Sequence, residues 1–169
     1  MNPECDFKAL LEALNSSGAR YVVIGGLAAA LHGSARSTVD LDVCYSRDSE
    51  DLKKFAAMLK SIHAYPRGIP PGLPFIPDER TLKSGLNFTF DTDFGPFDML
   101  GEMEGVGTYE DVIGDAPQKS VYGLAVSFLS LPKLIKAKTV AGRAKDLAAL
   151  EELNSLLKIR QTPGNSGEK

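Results

Sequence analysis

Asp40 and Asp42 sit one residue apart in the apolar run VDLDVCY, and Asp98 interrupts a second apolar run, GPFDML. A lone carboxylate is costly to bury, so acids at such places neutralise or hold a cation. Residues two apart in a strand point to the same face. The spacing therefore predicts Asp40 and Asp42 on one strand face, with Leu41 and Val43 in the core. Two carboxylates so placed repel unless a cation lies between them. Mg²⁺ suits such a site, because it binds through one or two carboxylates plus substrate phosphates. An acidic pair on a solvated strand face fits the same two residues equally well. Asp98, on a neighbouring strand, would supply a third acid. Asp91 and Asp93 are also two apart, but they precede Gly95 at a turn, and Asp is a common turn former. We read that pair as solvated.

Upstream, the apolar run RYVVI ends in Gly25-Gly26 and leads into helical residues 26–32. Free N–H groups at a helix start attract anions, and glycine lets a phosphate approach the backbone. Ser34 and Arg36 follow and could add side-chain donors; a bland glycine turn is the alternative. Thr38, two before Asp40, could order a metal-bound water or be an ordinary β-branched strand residue. His32 reads as a packed residue at the end of the helix, because no second His is spaced to share a metal. Further on, KLIKAK and GRAKD place five basic residues close together in a net-acidic chain. That concentration suits a triphosphate or an RNA end, and a solvated basic helix face is the alternative.

The elements that must position these residues follow from periodicity. Residues 5–17 read as a helix with Phe7, Leu10, Leu11 and Leu14 on one side and Gly18 as its stop. RYVVI and VDLDVCY read as strands. Asp48 or Ser49 can cap a helix over 50–62. YPRGIPPGLPFIP, residues 65–77, holds five prolines and two glycines, so it reads as a long loop with no regular element. Such a loop acts as a lid or binding segment, or as a connection stiffened by proline. LNFTFDTDFGPFDML reads as two strands around a turn at Asp91–Gly95, and SVYGLAVSFLS as a strand or short hairpin. Ser130 can cap a helix with Pro132 in its first turn, which runs to about Leu157 with a break at Gly142. The order α-β-α-β-α-loop-β-β-β-α-α gives an α/β (α+β) class: a mixed sheet flanked by helices, with C-terminal helices. We expect a single domain over residues 1–160 and a flexible polar tail over 161–169.

The 169 residues carry a net charge of −3, so the chain as a whole announces no nucleic-acid partner. No apolar stretch approaches a bilayer span and no signal-peptide core is present, which excludes a membrane role and predicts a cytoplasmic, reducing setting. Cys5 and Cys44 have no motif spacing, and Cys44 reads as a core thiol.

Ile24-Gly25-Gly26, a spacer, Asp40-Leu41-Asp42 and then Asp98 resemble the motif of the polymerase-β-type nucleotidyltransferase superfamily. The segment GGLAAALHGSARSTVDLD is similar to a pattern, GG-x-A-x-x-x-H/Y-G-x-x-R-x-T-x-D-L-D, that recurs in a small bacterial group. That group includes nucleotidyltransferase toxins of toxin–antitoxin and abortive-infection systems, and stand-alone relatives. GLNFTFDTDFGPFDML, GVGTYEDV and KAKTVAGRAKDLAAL resemble later blocks, so the likeness covers most of residues 20–153.

The resemblance implies a nucleotidyltransferase fold and residue roles. Gly25, Gly26 and Ser34 would hold a triphosphate, with Arg36 and Thr38 beside them. Asp40, Asp42 and Asp98 would bind two Mg²⁺ ions, with Mn²⁺ as a substitute, and Asp98 could help deprotonate the attacking hydroxyl. Lys138, as a catalytic cation, and Arg143 and Asp146 would face the nucleotide. The implied activity is transfer of a nucleoside monophosphate from an NTP to an RNA end, a protein or a small molecule, releasing pyrophosphate. A second copy of the chain, or a cognate antitoxin-like protein, would be the implied partner. Two other readings use the same residues: a domain that binds nucleotide or a partner without turnover, and a metal-dependent phosphohydrolase. The glycine loop favours a triphosphate donor over the latter.

Overall fold

The computed structural model describes residues 4–162. Its elements alternate from the start. Helix α1 (Phe7–Ser17) is capped by Asp6, whose side chain accepts from the Ala9 N–H at 3.0 Å, and it buries Leu10, Leu11 and Leu14. Strand β1 (Tyr21–Ile24) passes directly into α2 (Gly25–His32), and after an irregular stretch β2 (Leu41–Tyr45) follows. Helix α3 (Ser49–Ser61) has Asp48 as its cap. Next come β3 (Tyr65–Pro66), α4 (Glu79–Ser84), β4 (Asn87–Thr92) and β5 (Gly95–Leu100). A small hairpin, β6 (Glu102–Met103) and β7 (Gly107–Thr108), leads to α5 (Tyr109–Val112) and a 3₁₀ turn. The hairpin of β8 (Gln118–Val121) and β9 (Leu124–Ser127) precedes α6 (Leu131–Ala141) and α7 (Ala144–Gln161).

Five strands form one sheet in the order β1-β2-β5-β4-β3. The pair β2–β5 is parallel and the other pairs are antiparallel, so the sheet is mixed, as the element order implied. Helix α1 packs on α3, α3 on α4, and α2 on β2 and α6, while α6 lies against α7. Buried Val22, Val23, Val43, Phe97 and Met99 from β1, β2 and β5 join Leu10, Leu14, Phe55 and Leu59 from the helices in the core. No helix among the described residues is long and apolar enough to cross a membrane. Cys44 is buried and unpaired, a core thiol as expected.

Several local expectations need correction. The 65–77 segment is not free of regular structure: Tyr65 and Pro66 pair with Asp91 and Phe90. Proline is tolerated there because β3 is an edge strand, where a missing N–H breaks no second ladder. The second strand begins at Leu41, so Asp40 and Thr38 precede it. Ser130 does not cap α6 with its side chain; its hydroxyl donates to Asp115 at 3.1 Å. The break at Gly142 is real, with φ at 62°. Helix α7 continues past Leu157 to Gln161, so residue 161 belongs to the helix, and the remainder of the expected tail, residues 163–169, lies outside the described residues.

Candidate active site

The parallel register sets Asp42 directly beside Asp98. Side chains at paired positions of adjacent strands project from the same face of the sheet. Asp40 reaches the same place from the bend before β2, held by Thr38, whose hydroxyl donates to Asp40 Oδ1 at 3.1 Å and to its carbonyl at 3.2 Å. One carboxylate oxygen from each of Asp40, Asp42 and Asp98 lies within 4.8 Å of the others. Burial pushes Asp42 up to about 7, and the charges of Asp40 and Asp98 add to it. Burial also raises Asp98, opposed by the guanidinium of Arg67 and reinforced by Asp40. Two desolvated carboxyls that resist ionisation, Asp42 and Asp98, form a charge state that a divalent cation relieves. Hard oxygen donors of this kind fit Mg²⁺ or Mn²⁺.

Two cavities meet at these acids. One, of about 290 Å³, is lined by Gly25, Gly26, Ser34, Thr38 and Asp40, with Arg36, Lys138, Arg143 and Lys145 as its basic groups. Helix α2 opens this wall without a side-chain cap on its first N–H groups. The other cavity, of about 410 Å³, has Leu100, Met103, Leu129, Leu134 and Ala137 as apolar walls and Asn87, Glu102 and Glu104 as polar ones. Asp42, Asp98, Lys138, Arg143 and Asp146 line both.

Compared by sequence, the chain matches no family model and no curated protein. Compared by structure, it is similar to the antibiotic-resistance factor ANT(2'')-Ia, with a TM-score of 0.58 at 13% identity over 89% of this chain and 81% of that one. It is similar to the lincosamide antibiotic adenylyltransferase LnuA, solved with lincomycin bound, with a TM-score of 0.57 at 13% identity over 91% of this chain and 99% of that one. A candidate nucleotidyltransferase from Thermotoga maritima superposes with a TM-score of 0.54 at 16% identity, covering 88% and 89% of the two chains. The chain has the nucleotidyltransferase fold.

Within that fold the two glycines have a specific steric duty. Gly25 adopts φ of 64°, and a Cβ there would collide with the Asp42 carboxylate. A Cβ at Gly26 would collide with the Thr38 side chain. The pair therefore lets the acid strand and its leading bend close against the start of α2. This goes beyond the expected role of admitting a phosphate.

The helical block is arranged by Asp146, which is buried at 2% exposure. Arg143 donates to it through Nε at 2.6 Å, and Lys138 Nζ lies 3.6 Å from its Oδ1. Burial alone would raise this carboxyl; the Arg143 hydrogen bonds and the nearby Lys138 charge hold it below its ordinary value. Asp146 thus faces the two cations and lines both cavities beside them. Lys138 and Asp146 meet across the Gly142 break, as neighbours in a helical hairpin and not along one helix. Ser34 and Arg36 line the smaller cavity, yet both are tied to α7: Ser34 donates to Glu152, and Arg36 donates to the Ala148 carbonyl at 2.7 Å. His32 is packed, with Nε2 2.7 Å from the Leu129 carbonyl and Nδ1 2.8 Å from Arg160.

Sequence reasoning missed Arg67, which pairs with Asp98 at 2.9 Å. It also did not single out Lys145, Asn87, Glu102 or Glu104 as cavity residues. An arginine beside a proline in an irregular stretch carries no periodic signal, and Glu102 and Glu104 fall between the two blocks that carry the resemblance.

Proposed function

We propose that the protein is a Mg²⁺-dependent nucleotidyltransferase that moves a nucleoside monophosphate from an NTP to an acceptor hydroxyl and releases pyrophosphate. One observation carries the reading: three carboxylates from separate positions converge where a basic cavity meets an apolar one. Asp40, Asp42 and Asp98 would hold the ions, which when bound neutralise the phosphate oxygens and clamp the attacking and leaving oxygens of an in-line displacement.

The chain's own residues then have these tasks. The open N–H groups of α2, with Arg143, Lys145 and Lys138 around them, receive the triphosphate. Asp146 keeps Lys138 and Arg143 turned toward it. The acceptor oxygen attacks the α-phosphorus, the bond to the β-phosphate oxygen breaks, and the hydroxyl proton passes to an acid of the cluster, which we assign to Asp98. The larger cavity takes the acceptor. Its apolar walls with Glu102 and Glu104 favour a compact, partly apolar, uncharged or cationic molecule over a polyanion. The fold neighbours ANT(2'')-Ia and LnuA, named for antibiotics, support a small-molecule acceptor. The resemblance to the toxin-bearing group keeps an RNA end as the competing acceptor and an antitoxin-like protein as the partner to seek by co-purification. We further propose that residues 1–160 act as one domain.

The test incubates purified protein with each labelled NTP, Mg²⁺, and either a panel of small amines and antibiotics or host total RNA. Label on a small acceptor supports the reading in full. Label on RNA corrects the acceptor only. NTP binding by calorimetry with no labelled product in any arm overturns the enzyme in favour of a binding module.

A further inference from the structure

We infer that Arg67 is a positioning residue of the acid cluster: its guanidinium grips one oxygen of Asp98 and so fixes the carboxylate edge that Asp98 turns toward Asp40 and Asp42. The inference rests on the nucleotidyltransferase reading only for its catalytic consequence. Arg67 follows directly on β3, and its own N–H donates to the Thr89 carbonyl at 2.9 Å, which extends the sheet ladder by one residue. The side chain then crosses β4. Its Nε donates to Asp91 Oδ1 at 3.2 Å, and its Nη2 donates to the Phe90 carbonyl at 2.7 Å and to Asp98 Oδ1 at 2.9 Å. Arg67 and Asp98 are both largely covered, with side chains 31% and 16% exposed.

A planar fork with fixed donor directions can hold these acceptors together; a lysine, as a single point charge, cannot. Anchoring a proline-rich segment would need only Asp91 and the Phe90 carbonyl. The additional bond goes to Asp98, one of the three acids whose oxygens converge. That bond partly neutralises Oδ1 and leaves the other oxygen as the stronger ligand for a cation or acceptor for a proton. It also places a positive charge where a divalent cation must compete with it. Arg67 therefore trades some cation affinity for a defined Asp98 geometry, and the proline-rich segment supports the site by carrying this residue.

The opposing effects give a readout that a merely structural role would not produce. Arg67→Ala, Arg67→Lys and Asp91→Asn are compared with wild type by Mn²⁺ calorimetry, nucleotide transfer and thermal melting. For Arg67→Ala, Mn²⁺ binding should tighten by up to roughly tenfold, the scale of one unit charge beside a divalent ion in a high dielectric. Its kcat should fall by about ten- to a hundredfold from Asp98 misplacement, with KM for the NTP unchanged. Arg67→Lys should bind Mn²⁺ like wild type and recover part of kcat. Asp91→Asn, which removes the charge of the anchoring contact and keeps an acceptor for Arg67 Nε, should stay within about twofold on both counts. Mn²⁺ binding that weakens together with kcat in Arg67→Ala overturns the inference, as does an Asp91→Asn variant as impaired as Arg67→Ala. If wild type transfers no label, the nucleotidyltransferase reading fails, and Mn²⁺ binding alone decides: tighter in Arg67→Ala upholds the Arg67 charge, unchanged or weaker overturns it. Wild type that binds no Mn²⁺ overturns both.

Discussion

Asp42→Asn should stabilise the metal-free protein, and the gain should grow with pH. Asp42 is half-buried beside two other acids, and its carboxyl is displaced from 3.8 to about 7 by burial, then by Asp40 and Asp98. Below pH 3.8 the group is protonated in folded and unfolded chains alike, so it imposes no penalty. Between 3.8 and about 7 the unfolded chain ionises first, and the folded wild type loses relative stability. Above about 7 the loss is complete. A displacement of that size corresponds to about 4 kcal/mol at full effect. An independent figure comes from Coulomb's law: two unit charges 4.8 Å apart interact by about 3 kcal/mol at an effective dielectric of ~20. Asn matches the shape without the charge, so the variant should gain about 2–4 kcal/mol at pH 8, or roughly 5–15 °C in Tm. The assay is denaturant unfolding of both proteins in chelator from pH 4 to pH 8. Mg²⁺ or Mn²⁺ added at pH 8 should raise the wild-type Tm and leave Asp42→Asn nearly unmoved. A variant less stable than wild type at pH 8, or a difference that does not change with pH, would refute the electrostatic reasoning.

The same substitution should lower nucleotide transfer by at least about a hundredfold, because electrostatic stabilisation at phosphorus is lost; initial rates with labelled NTP check this. Gly25→Val should destabilise by about 2–3 kcal/mol in chemical unfolding, from left-handed backbone strain and the collision with Asp42. Asp146→Ala should weaken NTP binding measured by calorimetry more than about fivefold, because Lys138 and Arg143 lose the carboxylate that orients them. Arg20→Ala strands the buried Asp51 and should destabilise the fold at pH 7. Burial would raise Asp51, but hydrogen bonds from Ser46 and Arg20 overcome it and hold the group below 3.8. The Arg20 contribution is therefore complete above 3.8 and should disappear in unfolding curves as pH falls below 3.8 through the lowered value of the folded state.

The sequence by itself determined which residues could do chemistry and the local elements carrying them. Hydrophobic periodicity marked α1, α3 and the β4–β5 hairpin, and the cost of burying lone acids singled out Asp40, Asp42 and Asp98. These signals are local, because side-chain direction in a helix or strand repeats over a few residues. Only the tertiary structure decided what meets what. The parallel β2–β5 register brings Asp98 to Asp42, a contact between distant segments that no spacing encodes. The period-2 argument for Asp40 failed locally, since Asp40 lies on a bend, yet its carboxylate reaches the cluster because Thr38 holds it. Asp146 was legible as a charged helix residue, but not as a buried anchor, which required α6 and α7 to fold back across Gly142. Arg67 was invisible because its role depends on an edge strand of two residues that proline content argued against. Cross-strand register and edge pairing depend on the whole sheet, and that physical dependence put the assembly of the site beyond the sequence's local rules.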